Sequence, residues 1–598
     1  MQTLQIIAIL AIAGVLATQA RAVSTSSPQA DISLVKNGKS SYAIVVSAKA
    51  SLSEKHAAHE LAYYIAQISG AKLPVITERA SLPKQAILLG NQSAIRSAKI
   101  DFKALGDEGF AIKTAGPNLI IAGGRLRGTM YGVYTFLEEV GCRWYSSKVT
   151  SIPKKPTIAL KPLDIVQKPD FEYREPFYTD AFDGDWAARN KCNSNSARLD
   201  ADHGGKVVYG KFVHTFAELF PPAKYYKDHP EYFSLVNGKR QDGYAQICMS
   251  NPEVLKVATQ TVMEWIAANP SAKIFSVSQN DAGLNCQCDK CKAIDAEEGS
   301  PAGLLLRFVN AIAEEVEKKY PDKLIDTLAY QWTESPPKIT KPRSNVRARL
   351  CPIGACEFHD YETCPNDAGF VSNLQNWNKI TNNLYIWHYS TDFGHYMMPF
   401  PDLDQLASSI KLYKRTGVKG VFMEGNYSTG GGGWMDELKA YMTAKLLWNS
   451  NADPKAIRAD FLNGYYGKAG KPIGEFLDLL QNKVNADKIH GGIYIDIYAP
   501  YMTNETIAEG QRLFDEAESL ADGPKVLARV KHARLSVDYV PLMREALAMA
   551  ANGTPEQKAA TLAKLEAFIA ECKADGITNL DEGRNIDQTF EAYAKGLR

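Results

Sequence analysis

Val277-Ser278-Gln279-Asn280-Asp281, followed at once by Cys286-x-Cys288-x-x-Cys291, is the stretch on which the reading of this chain turns. Ile274 to Val277 is a short apolar run of the kind that forms a buried strand, and it ends abruptly in amides and a carboxylate. An α/β barrel presents its chemistry in that way, with polar side chains at the carboxyl end of a strand and in the loop after it. The three cysteines knit that loop behind Asp281. A polar strand end held by a braced loop predicts an enzyme.

Outward from this point, apolar strands alternate with amphipathic helices from Phe171 to about Trp448. Phe177-Tyr178, Ile274 to Val277, Ile325 to Tyr330, Val346 to Leu350, Leu384 to Trp387 and Gly420 to Met423 read as strands, and Leu304 to Val316 as a helix between two of them. The alternation predicts an α/β fold with a central (β/α)8-type, TIM-like barrel over residues 170–450. Fewer than eight strands stand out, so closure of the barrel is inferred from the alternation.

Residues 23–165 read as a small α/β sandwich domain. Ser41 to Ser47 reads as a strand, Ser51-x-x-Glu54 as a capping box, and Leu61, Tyr64, Ile65 and Ile68 as one face of a helix that stops at Gly70. Strands at Ala86 to Leu89, Gly109 to Lys113 and Asn118 to Ala122 precede a second helix, Gly128 to Val140. Pro153 to Pro169 is a proline-studded connector into the barrel, and residues 451–598 are Ala/Leu/Lys/Glu-rich and predict helices packed on it.

The 598 residues carry a formal net charge of +1, which excludes a general nucleic-acid or polyanion binder, since that would need a basic excess. Aromatic residues make up 10% of the chain, and sugar rings are commonly held against aromatic faces. Residues 1–22 read as a signal peptide, with an apolar run from Ile6 to Leu16 before Ala20-Arg21-Ala22. Its removal would leave a neutral, exported chain, periplasmic or secreted. No later run of about 18 apolar residues predicts a membrane span.

Several motifs together resemble known families. Gly109-Phe110, Gly123-Gly124-x-x-Arg127-Gly128-x-x-Tyr131-Gly132-x-Tyr134-x-Phe136-Leu137-Glu138 and Gly141-Cys142-Arg143-Trp144-Tyr145 resemble the small domain that precedes the barrel in family 67 α-glucuronidases and in β-hexosaminidases. Ser278 to Asp281, the cysteine loop, Ala329-Tyr330-Gln331, Asn345-Val346, Pro399-Phe400-Pro401 and Gly420-Val421-Phe422 resemble the bacterial family catalogued as domain of unknown function 4838. Some of its members belong to glycoside hydrolase family 163, endo-β-N-acetylglucosaminidases acting on complex N-glycans. The resemblance implies a glycoside hydrolase whose partner is an oligosaccharide or glycoprotein glycan.

Glycoside cleavage needs a proton for the leaving oxygen and a group to stabilise or trap the anomeric carbon, and two strand-end carboxyls meet both needs. Asp281, Glu424, Glu334 and Asp392 each follow a predicted strand. The bland reading of Asp281 is a helix N-cap or loop hydrogen-bonder, a duty that Asn280 can share. Glu334 precedes Pro336-Pro337, which suits a structural loop carboxylate, and Asp392 can cap the next turn. Which of them is the acid depends on burial. No cofactor is required.

Tyr178, Trp186, Tyr330, Trp332, Trp387, Tyr389, Tyr427 and Trp434 cluster on the same segments, as substrate platforms or as core. Trp332 and Trp434, in loops, lean towards substrate. His214 and His388 are candidates for sugar hydroxyls or satisfied structural histidines. Cys286, Cys288 and Cys291, with Cys248 as a fourth ligand, fit a structural zinc, whereas export favours disulfides. Cys351, Cys356 and Cys364 form a looser group, paired or free. Gly430 to Gly433 reads as a flexible loop on the substrate side. An α-glucuronidase-like exo-hydrolase is a second reading, with Arg174, Arg189 and Arg198 to hold a uronate, and a non-catalytic carbohydrate-binding barrel is a third.

Overall fold

The computed structural model describes residues 31–79 and 81–598. The expected signal peptide, residues 1–22, lies outside the described residues. Near the amino terminus a six-stranded mixed sheet runs in the order Asp164–Gln167, Phe110–Ala115, Asn118–Gly123, Ala86–Leu89, Ala43–Val46 and Val75–Thr77. Helices Leu52–Ser69 and Gly128–Glu139 pack together on this sheet. The first begins at the expected capping box and ends on Gly70, whose φ of 82° closes a left-handed cap that a side chain would strain. The proline-studded segment is more than a connector. It contributes Ile158–Leu160, paired with Ile32–Val35, and the antiparallel edge strand Asp164–Gln167.

Seven parallel strands build the central unit: β1 (Tyr173–Phe177), β2 (Tyr209–Lys211), β3 (Ile274–Ser276), β4 (Leu324–Ala329), β5 (Val346–Leu350), β6 (Tyr385–Tyr389) and β7 (Gly420–Glu424). Their ladder runs β1-β7-β6-β5-β4-β3-β2, the order of a barrel, with no ladder between β1 and β2. The barrel therefore has seven strands where eight were expected. Side chains span the gap instead. Asn193 Oδ1 accepts from the Arg174 N–H of β1, and Asn195 Oδ1 accepts from the Tyr209 N–H of β2, each at 2.9 Å. These amides satisfy backbone donors that an open sheet edge would leave bare.

The inside of the barrel is closed by an ion pair under aromatic rings. Arg349 on β5 meets Asp326 on β4 at 3.1 Å, with both side chains fully buried. The guanidinium lies 5.2–6.0 Å from the ring centroids of Tyr209, Phe212, Tyr385, Trp387 and Phe422. Because these rings come from β2 and its following loop at one end of the ladder and from β6 and β7 near the other, the sheet must curl around them. Six long helices follow the barrel, from Pro454–Tyr466 to Ile586–Ala594, as the composition predicted. Among the described residues no helix is long and apolar enough to cross a membrane.

Candidate active site

Successive strand residues face opposite sides, so the barrel interior is read by alternation. Tyr385, Trp387 and Tyr389 of β6 turn inward while Ile386 and His388 turn to the helices. The same rule brings Leu328 and Tyr330 from the end of β4, Cys351 from β5 and Glu424 from β7 to the mouth. With His214, Asp281, Ile353, Phe393, Tyr427, Ile493, Tyr494 and Glu582 they enclose a cavity of about 260 Å³ at the carboxyl ends of the strands. Barrel enzymes place their chemistry at this face.

Glu424 is the last residue of β7 and only 8% exposed. Trp387 Nε1 donates to its Oε2 at 2.7 Å, which fixes the carboxyl and favours its charged form. Burial opposes this more strongly, and the nearby Glu582 and Asp281 add to the effect, so the carboxyl is pushed up to about 8. At neutral pH it holds its proton. Gly425 follows because a Cβ there would stand 2.0 Å from the buried ring of Tyr178.

Asp281 is exposed to the cavity. Tyr330 donates its hydroxyl to Asp281 Oδ1 at 3.0 Å, and Gln331 Nε2 in turn donates to that hydroxyl at 3.0 Å. The Asp281 N–H donates to Tyr244 Oη. His214 completes this side from an uncommon backbone conformation, φ 58°. Its N–H donates to Ser278 Oγ at 2.9 Å and its Nδ1 to the Gln279 carbonyl at 2.8 Å. A carbonyl only accepts, so Nδ1 carries the proton and Nε2 is left to face a ligand.

Of the expected site residues, Asp281, Glu424, Tyr330, Trp387, Tyr389, Tyr427 and His214 come together here, and the rest do not. His388 is fully buried behind the sheet against Tyr413 and Glu357, and burial lowers its pKa to about 3. Its neighbour Trp387 faces in, so alternation sends His388 out. Asn280 is a loop brace, donating to the Ala245 carbonyl and accepting from the Ala217 N–H. Glu334 accepts from Asn373 away from the cavity. Asp392, whose carboxyl burial pushes up to about 7, accepts from the Gly394 and Ile495 N–H groups and so caps the turn after β6.

Trp332 packs half-buried against the core around β3, and Trp434 is buried against Phe476 of the carboxyl-terminal helices. Neither lines the cavity. Gly430 to Gly433 is not a free substrate loop either: a Cβ on Gly430 would lie 1.8 Å from the Gly576 carbonyl, so the turn is seated on the helical region. Arg174 is paired with Glu108, Arg189 with Glu60 and Arg198 with Asp183. Among the described residues no Lys or Arg lines the cavity, so they supply no cationic pocket of the kind the uronate reading needs there.

Three lining residues come from the far end of the chain and carried no signal in the sequence. Glu582 accepts from Tyr427 Oη at 3.0 Å and Tyr494 Oη at 3.3 Å, while the Phe393 N–H donates to the Ile493 carbonyl. The helical region thus supplies one wall of the site. Nothing local to Glu582 marks it, because its role is set by a tertiary contact.

Behind Asp281, Cys248, Cys286, Cys288 and Cys291 bring their sulfurs within 4.8 Å of one another. Cys248 Sγ lies 3.7 Å from Cys288 Sγ and 4.0 Å from Cys291 Sγ. A tetrahedron with Zn–S near 2.3 Å has edges of about 3.8 Å, whereas a disulfide requires about 2.05 Å. None of the ten cysteines is bridged to another in this structure. The Leu235 N–H donates to Cys286 Sγ at 3.3 Å, an outer hydrogen bond of the sort that orients a metal-bound thiolate.

The family described as domain of unknown function DUF4838 matches residues 144–478, more than half of the chain, and the chain belongs to it. Residues 31–136 match the glycosyl hydrolase family 67 N-terminus. No curated protein matches the sequence. Among solved structures, a family GH115 4-O-methyl-α-glucuronidase with specificity for decorated arabinogalactans shares the fold over 95% of this chain and 78% of its own, at 12% identity and a TM-score of 0.56. A chitobiase of Flavobacterium johnsoniae (14% identity, TM-score 0.44, 95% of this chain and 91% of that one) and a GH138 enzyme targeting pectin rhamnogalacturonan II (11%, 0.47, 93% and 79%) are more distant in shape.

Proposed function

We propose that this protein is an exported glycoside hydrolase that cleaves at an N-acetylhexosamine in a complex glycan, in the manner of an endo-β-N-acetylglucosaminidase. One observation carries the reading: a protonated, buried Glu424 and an exposed Asp281 share one aromatic cavity at the carboxyl ends of the strands. Glu424 is the general acid, giving its proton to the leaving glycosidic oxygen, with Trp387 aiming Oε2. Asp281, oriented by Tyr330, is the second carboxyl: it traps the anomeric carbon or holds the 2-acetamido group whose carbonyl does so. Tyr389, Tyr427 and Trp387 offer flat faces to the pyranose, and the lack of cationic lining suits a neutral sugar.

No cofactor takes part in this chemistry. The four-cysteine cluster is proposed to hold a structural zinc that stiffens the loop behind Asp281. Incubating the purified protein with released N-glycans and, separately, with uronic-acid oligosaccharides tests the reading by chromatography of the products. Cleavage of the chitobiose-type linkage supports it. Release of a uronic acid would select the glucuronidase reading, and glycan binding with no turnover the binding barrel.

A further inference from the structure

We propose that Cys356, His359, Cys364 and His490 form a second metal site, zinc by its ligand chemistry, that pins the carboxyl-terminal region to the barrel mouth. The first three lie on the loop that leaves β5, and His490 follows the helix Gly470–Asp487 of the carboxyl-terminal region. All four ligand atoms fall within 4.8 Å of one another. Cys356 Sγ lies 3.3 Å from His359 Nδ1, and Cys364 Sγ lies 3.5 Å from His490 Nδ1. Around a tetrahedral zinc, with Zn–S near 2.3 Å and Zn–N near 2.05 Å, the S···N edge is about 3.6 Å. The two imidazoles, 4.8 Å apart between centroids, turn the same nitrogen towards the thiols.

Thiol–imidazole hydrogen bonds would account for the groups two at a time, and a Cys356–Cys364 disulfide would leave both histidines without a role. A metal uses all four. Two thiolates and two imidazoles are a closed zinc set. The backbone around it is already held. Asp367 Oδ1 accepts from the Cys356 N–H at 2.8 Å, and the Glu357 N–H donates to the Gly491 carbonyl at 2.8 Å. Gly491 permits this approach, since a Cβ there would meet the Phe358 ring at 2.5 Å. His490 is exposed, which gives the ion a way in, whereas Cys356 and Cys364 are buried.

The position gives the site a purpose. Cys364 and His490 are 126 residues apart, so the ion would close a long loop between two regions of the chain. Ile493 and Tyr494, just beyond His490, line the catalytic cavity. The ion would hold that wall against the barrel independently of which glycan is cut.

The test is metal analysis of the purified full-length protein and of two variants, with circular dichroism on each. His490→Gln changes an exposed ligand and is expected to lower the zinc content by about one equivalent per chain while the protein stays folded. Cys288→Ser, in the other cluster, is expected to leave that equivalent in place. Cobalt substitution should give thiolate-to-metal charge-transfer absorption that weakens in His490→Gln. A folded His490→Gln variant with the wild-type metal content overturns the proposal. So does an intact mass that reports a Cys356–Cys364 disulfide in the native protein.

Discussion

The ends of β3 and β7 lie on one rim and send a carboxyl each into one cavity, yet the two carboxyls stand in different surroundings. Asp281 sits on a loop after β3, exposed, with a tyrosine hydroxyl donating to it. Glu424 is the last residue of β7 itself, buried beneath Trp387 and facing two other carboxyls. Position on the barrel makes both residues candidates, while depth sets their protonation: one carboxyl is deep enough to keep its proton, the other is exposed to the cavity.

The strongest attempt to break this contrast is to remove each function with the shape retained. Asp281→Asn and Glu424→Gln are each expected to lower turnover on a released N-glycan by about 10² to 10⁴, with circular dichroism unchanged. A folded Asp281→Asn variant that keeps more than about a tenth of wild-type turnover would remove Asp281 from the pair.

The contrast also predicts pH dependence. Turnover should fall as pH rises through about 8, where Glu424 loses its proton. Stability follows the same sign. The folded state keeps the Glu424 proton to about 8 against the usual 4.5, so between those values the fold binds the extra proton. This contribution is complete below 4.5 and is lost as pH rises through 8. Thermal denaturation of wild type and Glu424→Gln across that range should converge at low pH and separate at high pH, by an amount on the order of a few kcal/mol.

A finer adjustment comes from the neighbours of Glu424. Glu582→Gln removes a like charge but keeps an acceptor for Tyr427 and Tyr494, so the alkaline limb of the rate profile should move to lower pH. Trp387→Phe removes the donor that favours the charged form, so the limb should move to higher pH. Identical limbs in both variants and wild type would separate Glu424 from the titration. The smallest effect is expected at Glu334, where Gln still offers an acceptor to Asn373: within about 0.5 kcal/mol in stability, with turnover near wild type.

The candidate site was legible in part, for reasons that differ residue by residue. Asp281 could be read because an apolar strand runs straight into it, and Trp387, Tyr389 and Glu424 because strand ends were visible in the apolar pattern. His388 stays open between sugar binding and a structural role in the sequence, which shows neighbours but not the side of the sheet each one takes; that side is fixed only once the register is set. β2 escaped notice because three residues around Gly210, packed against the Phe275 ring, carry too little apolar pattern to stand out. Trp434 read as a loop aromatic and turned out to be core, since the helices that cover it come from elsewhere in the chain.

By itself the sequence determined the alternation of strands and helices, the capping box at Ser51, the Asp281 strand end and the clustering of cysteines, because these depend on local spacing and side-chain chemistry. Only the tertiary structure decided that seven strands curl around Arg349, that Glu424 lies deep enough to hold its proton, and that Glu582 and His490 reach the barrel mouth. Burial, charge proximity and ligand geometry are properties of groups brought together from distant parts of the chain, and no local spacing encodes them.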